Sequence, residues 1–193
     1  MKDSLILDLP KLYEKIESKS QEIGFTMPSD RYIGALLKTL MLSKPGGNFL
    51  ELGTGIGLSL SWMIDGMDKN GKLTTVDNDF ALCEIVQGFF GADNRVNIVC
   101  MDGADWIKNH QGKPFDLIFA DAWPGKYSQL EETLAMVKVG GFYVIDDMTA
   151  QPNWPAGHQE NVDKLVSYLE SREDFSICKM NWSTGVIVAS RKS

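Results

Sequence analysis

Short apolar runs alternate with longer amphipathic stretches along most of the chain. The runs predict five β-strands, at residues 48–53, 72–77, 95–100, 115–121 and 140–146. The stretches between them have the helical period and predict helices at residues 57–68, 79–90, 104–111 and 126–138. Strands joined by helices in this way form a parallel sheet, because parallel neighbours need a long crossover connection.

Both ends of the chain depart from this rhythm. Residues 8–20 and 29–43 predict two amphipathic helices, and Ser29 or Asp30 would cap the second. After residue 147, a loop containing Pro and Trp leads to a predicted helix and then to two β-rich runs. That helix covers residues 159–172, and the runs cover residues 175–180 and 183–190. The two-residue connection between the runs predicts an antiparallel hairpin.

Length and charge narrow the function. With 193 residues we expect one domain over residues 1–193, in which residues 1–45 form a lid or dimer surface and residues 46–193 form the core. The net charge is −7, from 19 basic and 26 acidic side chains, which disfavours binding to nucleic acid or anionic lipid. The longest uncharged stretch, residues 52–64, is too short to cross a bilayer, which takes about 20 apolar residues.

The N-terminus and the cysteines bear on location. Acidic residues occur within the first eight positions, so this end does not have the pattern of a signal peptide, and we expect a cytoplasmic protein. Cys83, Cys100 and Cys178 form neither an even set nor a CxxC pair. We expect reduced thiols that pack as small hydrophobic groups.

A glycine-rich turn follows the first predicted strand. Gly53, Gly55 and Gly57 leave no Cβ between the backbone and a ligand, and the next helix presents free N–H groups to an anionic group. Asp77 ends the second strand, at the place where a Rossmann-like sheet holds a ribose. The combination predicts a nucleotide-like ligand.

The glycine spacing weighs against two kinds of nucleotide site. Dinucleotide turns have the pattern G-x-G-x-x-G, whereas this chain has G-x-G-x-G with Leu58 at the third glycine position, which disfavours an NAD-dependent oxidoreductase. Residues 53–59 also match the glycine box of histidine-kinase-type ATPases. Those ATPases resemble one another in an Asn-rich helix upstream of the box, and this chain has no Asn before Asn48.

Four motifs in order carry a family resemblance. The run from Glu51 to Gly57, then Asp77, then Asp102-Gly103, then Asp121 resemble the motifs of class I S-adenosylmethionine-dependent methyltransferases, over roughly residues 25 to 190. The resemblance implies an α/β fold with a Rossmann-like, seven-stranded, mostly parallel sheet, helices on both faces and the last strand antiparallel beside the fifth. It also implies a set of residues that bind S-adenosylmethionine: Glu51, Gly53, Thr54, Gly55, Gly57, Ser59, Asp77, Asn78, Asp102, Gly103, Ala104, Asp121 and Trp123.

The resemblance also implies which part of S-adenosylmethionine each of these residues would bind. The glycine loop and Ser59 would hold the methionine moiety, Asp77 and Asn78 the ribose, and residues 102–104 the adenine. Carboxylates suit the sulfonium cation of this donor better than they suit a polyphosphate. Two roles stay open, because Glu51 has the alternative of a hydrogen bond to the loop and Asp102 that of a helix N-cap.

Three carboxylates follow the fourth and fifth predicted strands. Asp121, Asp146 and Asp147 converge at neighbouring strand ends, where they repel one another unless one is protonated or a cation lies among them. This predicts a divalent metal site. The chain here resembles the small O-methyltransferases of the catechol and caffeoyl-coenzyme A type, which bind magnesium through an Asp and a later Asp-Asn pair.

The match to that type departs at two positions. Its Asn is Asp147 in this chain, and its lysine, three residues after the first Asp, falls on Pro124, while the nearest lysine is Lys126. The presence of a metal and the identity of the base therefore stay open. A bound metal would lower the pKa of the acceptor hydroxyl. Without it, His158 or Lys126 would accept the proton, so the predicted catalytic residues are Asp121, Lys126, Asp147 and His158.

Aromatic side chains in the same two loops suggest the acceptor. Trp123, Tyr127 and Trp154 either wall a flat acceptor or pack in the core. We expect methyl transfer from S-adenosylmethionine to a hydroxyl oxygen of a small, aromatic molecule, by a homodimer whose N-terminal helices pair. A modified tRNA base is the alternative acceptor, which the charge of −7 disfavours.

Overall fold

The computed structural model describes residues 2, 5–152 and 154–193 as a seven-stranded sheet with helices on both faces. The strands are β1 (Asn48–Leu52), β2 (Lys72–Asp77), β3 (Val96–Cys100), β4 (Phe115–Ala120), β5 (Val137–Ile145), β6 (Phe175–Met180) and β7 (Val186–Arg191). The helices are α1 (Tyr13–Glu22), α2 (Arg31–Leu42), α3 (Leu58–Gly66), α4 (Phe80–Phe90), α5 (Gly103–Asn109), α6 (Leu130–Ala135) and α7 (His158–Ser171).

The strand order is β3-β2-β1-β4-β5-β7-β6. The first five strands pair in parallel, and β7 is antiparallel to both β5 and β6, as the family resemblance implied. From β1 the chain adds β2 and β3 on one side of the sheet and then β4 and β5 on the other, so the order of strands reverses between β1 and β4. Open α/β sheets bind ligands at such a point, beyond the carboxyl ends of the strands.

Alternating side chains of the strands feed two hydrophobic cores, one on each face of the sheet. Phe49 of β1 packs with α1 to α4, whereas its neighbour Leu50 packs on the opposite face, with residues of α5 to α7. Trp62 of α3 is almost fully buried and lies edge to face with Tyr13 of α1. The N-terminal helices are thus fixed to the core through α3.

Several predicted element boundaries were wrong. The helix expected at residues 126–138 is reduced to α6, because β5 begins at Val137, which pairs with Phe115. The first helix begins at Tyr13 instead of residue 8. The β6–β7 pairing is antiparallel as predicted, but residues 181–185 connect the strands instead of two residues.

Three further expectations concern the ends and the surface. Among the cysteines, only Cys83 is buried, while Cys100 and Cys178 are exposed, so the packing expected for those two was wrong. No helix among the described residues is long and apolar enough to span a membrane. Residues 1, 3 and 4 of the predicted lid segment, and residue 153 of the loop before α7, lie outside the described residues.

Candidate active site

A cleft of about 620 Å³ opens beyond the carboxyl ends of β1, β2, β4 and β5. Its walls are the four loops that follow these strands, the segment between α1 and α2, and the turn between β6 and β7. The volume is that of a site for a small molecule. The cleft lies where the reversal of strand order predicts a ligand.

The glycine loop after β1 forms the floor of the cleft. Gly53 has a φ of +94°, and a Cβ at this position would lie 2.6 Å from the backbone oxygen of Asp121. The backbone N–H of Gly55 donates a 2.8 Å hydrogen bond to Oδ2 of Asp77. Asp77 therefore holds the loop in shape and also faces the cleft.

Glu51 lies behind this loop, fully buried. Its two carboxylate oxygens each accept a 2.6 Å hydrogen bond, one from Ser59 and one from Thr75. Burial raises the pKa of Glu51 to about 7, although the hydrogen bonds from Ser59 and Thr75 oppose this increase. The side chain thus links β1, β2 and α3, and neither hydrogen bond goes to the glycine loop, so the role of Glu51 towards a cofactor stays a prediction.

The predicted cofactor residues divide into two groups. Eight of them line the cleft: Gly53, Thr54, Gly55, Ser59, Asp77, Asn78, Asp121 and Trp123. Five are not among the lining residues: Glu51, Gly57, Asp102, Gly103 and Ala104. Asp102 caps α5 by accepting a 3.0 Å hydrogen bond from the N–H of Asp105, and Gly57 caps α3 with a φ of +91°. Their contact with a cofactor stays a prediction.

The three predicted metal ligands come together as expected from neighbouring strand ends. One carboxylate oxygen from each of Asp121, Asp146 and Asp147 lies within 4.8 Å of the other two. Oδ1 of Asp146 is buried without a hydrogen-bond partner among the described residues. Asp147 has a left-handed backbone, with a φ of +51°, which is a strained conformation for a residue with a Cβ.

The electrostatics of this acid trio favour a positive charge. Burial raises the pKa of Asp146 well above its usual range, and the neighbouring Asp121 carboxylate adds to the increase. Burial also raises the pKa values of Asp121 and Asp147, while the charge of Lys126 opposes both increases. Carboxylates in this arrangement hold a proton or a cation between them. Three carboxylates at this spacing, with Asp146 buried and Asp121 and Asp147 partly exposed, fit a divalent cation such as Mg²⁺.

Lys126 reaches the cleft from a tight turn after β4. Its side chain is 5% exposed, and Nζ donates a 2.6 Å hydrogen bond to the backbone oxygen of Asp146. Gly125 shapes the turn with a φ of +88°, and its carbonyl accepts a 2.7 Å hydrogen bond from the buried Tyr143 hydroxyl. The turn therefore presents Lys126 to the cleft from a fixed position.

Aromatic residues of the two loops predicted to wall the acceptor do meet. The Trp123 and Tyr127 rings lie 4.9 Å apart, centroid to centroid, and the imidazole of His158 lies between Tyr127 and Trp154. All four side chains line the cleft. We call Trp123, Tyr127, Trp154 and His158 the aromatic cluster.

The sequence did not identify six polar residues of the cleft as site residues. They are Thr26, Ser29, Asp30, Asp79, Gln151 and Thr184. Ser29 lies 3.5 Å from Oδ2 of Asp121, across 92 positions of the chain, and Gln151 donates a hydrogen bond to the carbonyl of Thr184. The sequence predicted Asp30 only as a possible helix cap, and Asp30 does cap α2. Nothing in the local pattern indicates such long-range contacts.

Comparison with known proteins places the chain among methyltransferases. Residues 50–148, about half of the chain, match a family profile described as a methyltransferase domain. A Mycobacterium leprae protein whose name includes the word O-methyltransferase is 31% identical over 110 residues, or 55% of this chain and 49% of that protein. The chain thus spans about half the length of the curated relatives it matches.

Two solved structures share the fold over almost the whole chain. One is an O-methyltransferase from Bacillus cereus in complex with SAH, with a TM-score of 0.82, 20% identity and coverage of 98% of this chain and 94% of that one. The other is the O-methyltransferase TomG from Streptomyces achromogenes, in complex with SAM, with a TM-score of 0.84, 20% identity and coverage of 99% and 94%. At this identity the likeness establishes the architecture alone.

Proposed function

The chain belongs to the methyltransferase domain family, and we propose that it transfers the methyl group of S-adenosylmethionine to a hydroxyl oxygen of a small acceptor. One observation carries the proposal. The glycine loop with Asp77 and the acid trio with Lys126 face the same cleft, so a donor site and an acceptor site adjoin. The SAH and SAM complexes of two structural neighbours support the choice of donor.

Donor binding falls to the loops after β1 and β2. Gly53 and Gly55 line the cleft, and the Asp77 carboxylate would accept hydrogen bonds from the ribose hydroxyls. The acid trio supplies the negative potential that suits a sulfonium. The donor supplies a methyl group, and a carbon–oxygen bond forms at the acceptor as the carbon–sulfur bond breaks.

The acceptor site lies between the acid trio and the aromatic cluster. A divalent cation held by Asp121, Asp146 and Asp147 would bind the acceptor oxygen and lower its pKa. Lys126 lines the cleft and is the proton acceptor that we propose for the hydroxyl. The rings of Trp123 and Tyr127 support a flat, aromatic acceptor.

Methyl transfer to a catechol tests the proposal. We expect 3,4-dihydroxybenzoate incubated with S-adenosylmethionine and Mg²⁺ to gain one methyl group on oxygen, detected by mass spectrometry. EDTA should reduce the rate at least about tenfold, because the metal lowers the pKa of the acceptor oxygen. Asp147→Ala should reduce the rate similarly, while Asp163→Ala, on the exposed face of α7, is the matched control.

The possible outcomes test separate parts of the proposal. If neither EDTA nor Asp147→Ala changes the rate of product formation, the proposed role of the metal is wrong and the proposed methyl transfer stands. No product with catechols, but methylation of tRNA, would establish the alternative acceptor. The homodimer and the lid formed by the N-terminal helices remain proposals, which sedimentation and truncation before residue 31 would test.

A further inference from the structure

The hydroxyl of Tyr127 is hydrogen-bonded to an imidazole at the wall of the cleft. Its oxygen lies 3.3 Å from Nε2 of His158, and the two rings meet edge to face, with centroids 5.2 Å apart. The imidazole also packs against Trp154, at 4.6 Å, and Trp123, at 6.0 Å. Ring packing on several sides therefore fixes the orientation of the imidazole.

The second imidazole nitrogen shows which way the hydrogen bond runs. Nδ1 of His158 is buried and has no hydrogen-bond partner among the described residues. A neutral imidazole carries its proton on one nitrogen only. A buried N–H without an acceptor is tolerated less well than a lone pair without a donor. The proton therefore belongs on Nε2, which donates it to the Tyr127 oxygen, and the phenolic O–H is left to donate elsewhere.

With the imidazole as donor, the Tyr127 O–H is available to a ligand in the cleft. Tyr127 lines it together with Lys126, Asp146 and Asp147. Burial, and then the negative charges of Asp147 and Asp146, raise the pKa of Tyr127 to about 12, so the phenol keeps its proton near neutral pH. The backbone N–H of Tyr127 donates a 2.9 Å hydrogen bond to the carbonyl of Trp123, which fixes the ring within its turn.

We propose that the Tyr127 hydroxyl donates a hydrogen bond to the reacting oxygen of the acceptor and that His158 is its positioning residue. This deepens the proposed function and rests on it. An oxygen that attacks with one lone pair retains another that accepts a hydrogen bond. A neutral amine has a single lone pair, which the attack uses. The Tyr127–His158 pair thus selects an oxygen acceptor over a nitrogen acceptor.

The tautomer of His158 tests the pair without donor or acceptor. The chain has two histidines, so ¹⁵N-histidine labelling and NMR at a pH of about 8.5 resolve His158 beside His110 as an internal reference. We expect His158 to be protonated on Nε2, and Tyr127→Phe to shift its ¹⁵N resonances while those of His110 stay in place. Protonation of His158 on Nδ1, or His158 resonances that do not shift in Tyr127→Phe, would overturn the proposal.

Kinetics test the role in transfer. The hydrogen bond favours the ionised form of the acceptor hydroxyl, which is the form that attacks. Because a hydrogen bond to a charged oxygen contributes about 1.5 to 3 kcal/mol, Tyr127→Phe should lower kcat for 3,4-dihydroxybenzoate about 10- to 100-fold, with little change in the Kd for S-adenosylhomocysteine. His158→Phe keeps the ring packing and should lower kcat less. The double variant should be no slower than Tyr127→Phe alone, since His158 acts through Tyr127. Tyr168→Phe, on α7, is the matched control.

His158→Gln retains a side-chain N–H, so it should recover part of the rate lost in His158→Phe. Multiplied losses in the double variant, or a catechol rate unaffected by Tyr127→Phe, would overturn the inference and leave the proposed function standing. A wild type that binds no S-adenosylhomocysteine would overturn the proposed function, whatever the tautomer. A wild type that binds it but methylates no catechol would overturn the acceptor assignment and this inference together.

Discussion

At the scale of single residues, Gly53 shows why the loop after β1 requires glycine. Its left-handed backbone costs other residues about 1 to 2 kcal/mol. In addition, a Cβ would lie 2.6 Å from the Asp121 backbone oxygen. The glycine loop and the end of β4 thus approach more closely than a side chain permits, and this contact brings the glycine loop next to the acid trio.

Gly53→Ala should therefore weaken S-adenosylhomocysteine binding at least about tenfold in isothermal titration calorimetry, because the loop must move away from Asp121. Gly140→Ala is the matched control, since Gly140 has a φ of +75° but no atom within 4 Å of its Cβ position. Both variants bear the backbone strain, and only Gly53→Ala bears the clash. Equal affinities for the two variants would contradict this account of the loop.

Glu51 makes stability depend on pH. Its pKa is about 7 in the folded protein, against an ordinary value of 4.5, so the folded state disfavours the ionised form. Protonated Glu51 therefore stabilises the folded state fully below a pH of about 4.5. This contribution to the free energy of unfolding, about 3 kcal/mol in total, is lost as the pH rises through about 7. Glu51→Gln has no such ionisation. The free energy of unfolding of this variant, measured relative to that of the wild type, should therefore increase from pH 5 to pH 8.

Urea denaturation at both pH values measures this difference. Glu84→Gln, on the exposed face of α4, is the matched control, and its difference from the wild type should not change with pH. If the difference in free energy of unfolding between Glu51→Gln and the wild type is the same at both pH values, burial does not perturb the pKa of this carboxyl group.

Sequence reasoning worked best for residues at strand ends. Asp77, Asp121, Asp146 and Asp147 were predicted to face one site, and they do, because the carboxyl ends of parallel strands meet at one edge of a sheet. It worked least well for residues placed by tertiary contacts. The contact of Ser29 with Asp121 depends on how α2 packs against α3, which no local pattern reports.

At the scale of elements, the turn between β6 and β7 supports the loop that carries Asp147. The N–H of Met148 donates to the carbonyl of Gly185, and the N–H of Thr149 to that of Thr184, each at 3.0 Å. A Cβ on Gly185, which has a φ of +84°, would lie 2.6 Å from the backbone nitrogen of Thr149. The last two strands thus hold one wall of the cleft, at the place where we propose the acceptor binds.

Gly185→Ala should therefore raise the KM for the catechol at least about fivefold and leave the Kd for S-adenosylhomocysteine nearly unchanged, because the clash displaces the loop after β5 and not the loop after β1. Steady-state kinetics and calorimetry measure the two constants, with Gly140→Ala again as the control for backbone strain. A loss of cofactor affinity equal to the loss of acceptor affinity would contradict the separate supports of the two subsites.

Element boundaries were harder to predict than element order. The run at residues 126–138 has an amphipathic pattern, but Gly125 and the hydrogen bonds to the Trp123 carbonyl make its first part a turn, and pairing with β4 makes Val137 a strand residue. These contacts override local propensity. The parallel pairing of the first five strands followed from connections long enough for crossover helices, and the place of the last strand beside the fifth followed from the family resemblance.

At the scale of the whole molecule, one sheet edge assembles a donor site and an acceptor site from segments far apart in sequence. The loops after β1, β2, β4 and β5 line one cleft, and we propose that the first two bind the donor and the last two the acceptor. The net charge of −7 agrees with small molecules as ligands for both. The central claim is that the glycine loop and Asp77 hold S-adenosylmethionine beside the acid trio.

A crystal structure of the complex with S-adenosylhomocysteine tests that claim most directly. We expect the ribose hydroxyls within hydrogen-bond distance of the Asp77 carboxylate and the sulfur between the glycine loop and Asp121. Crystals soaked with the compound that show it elsewhere on the molecule, or a cleft that takes up ATP or NADH in its place, would contradict the account.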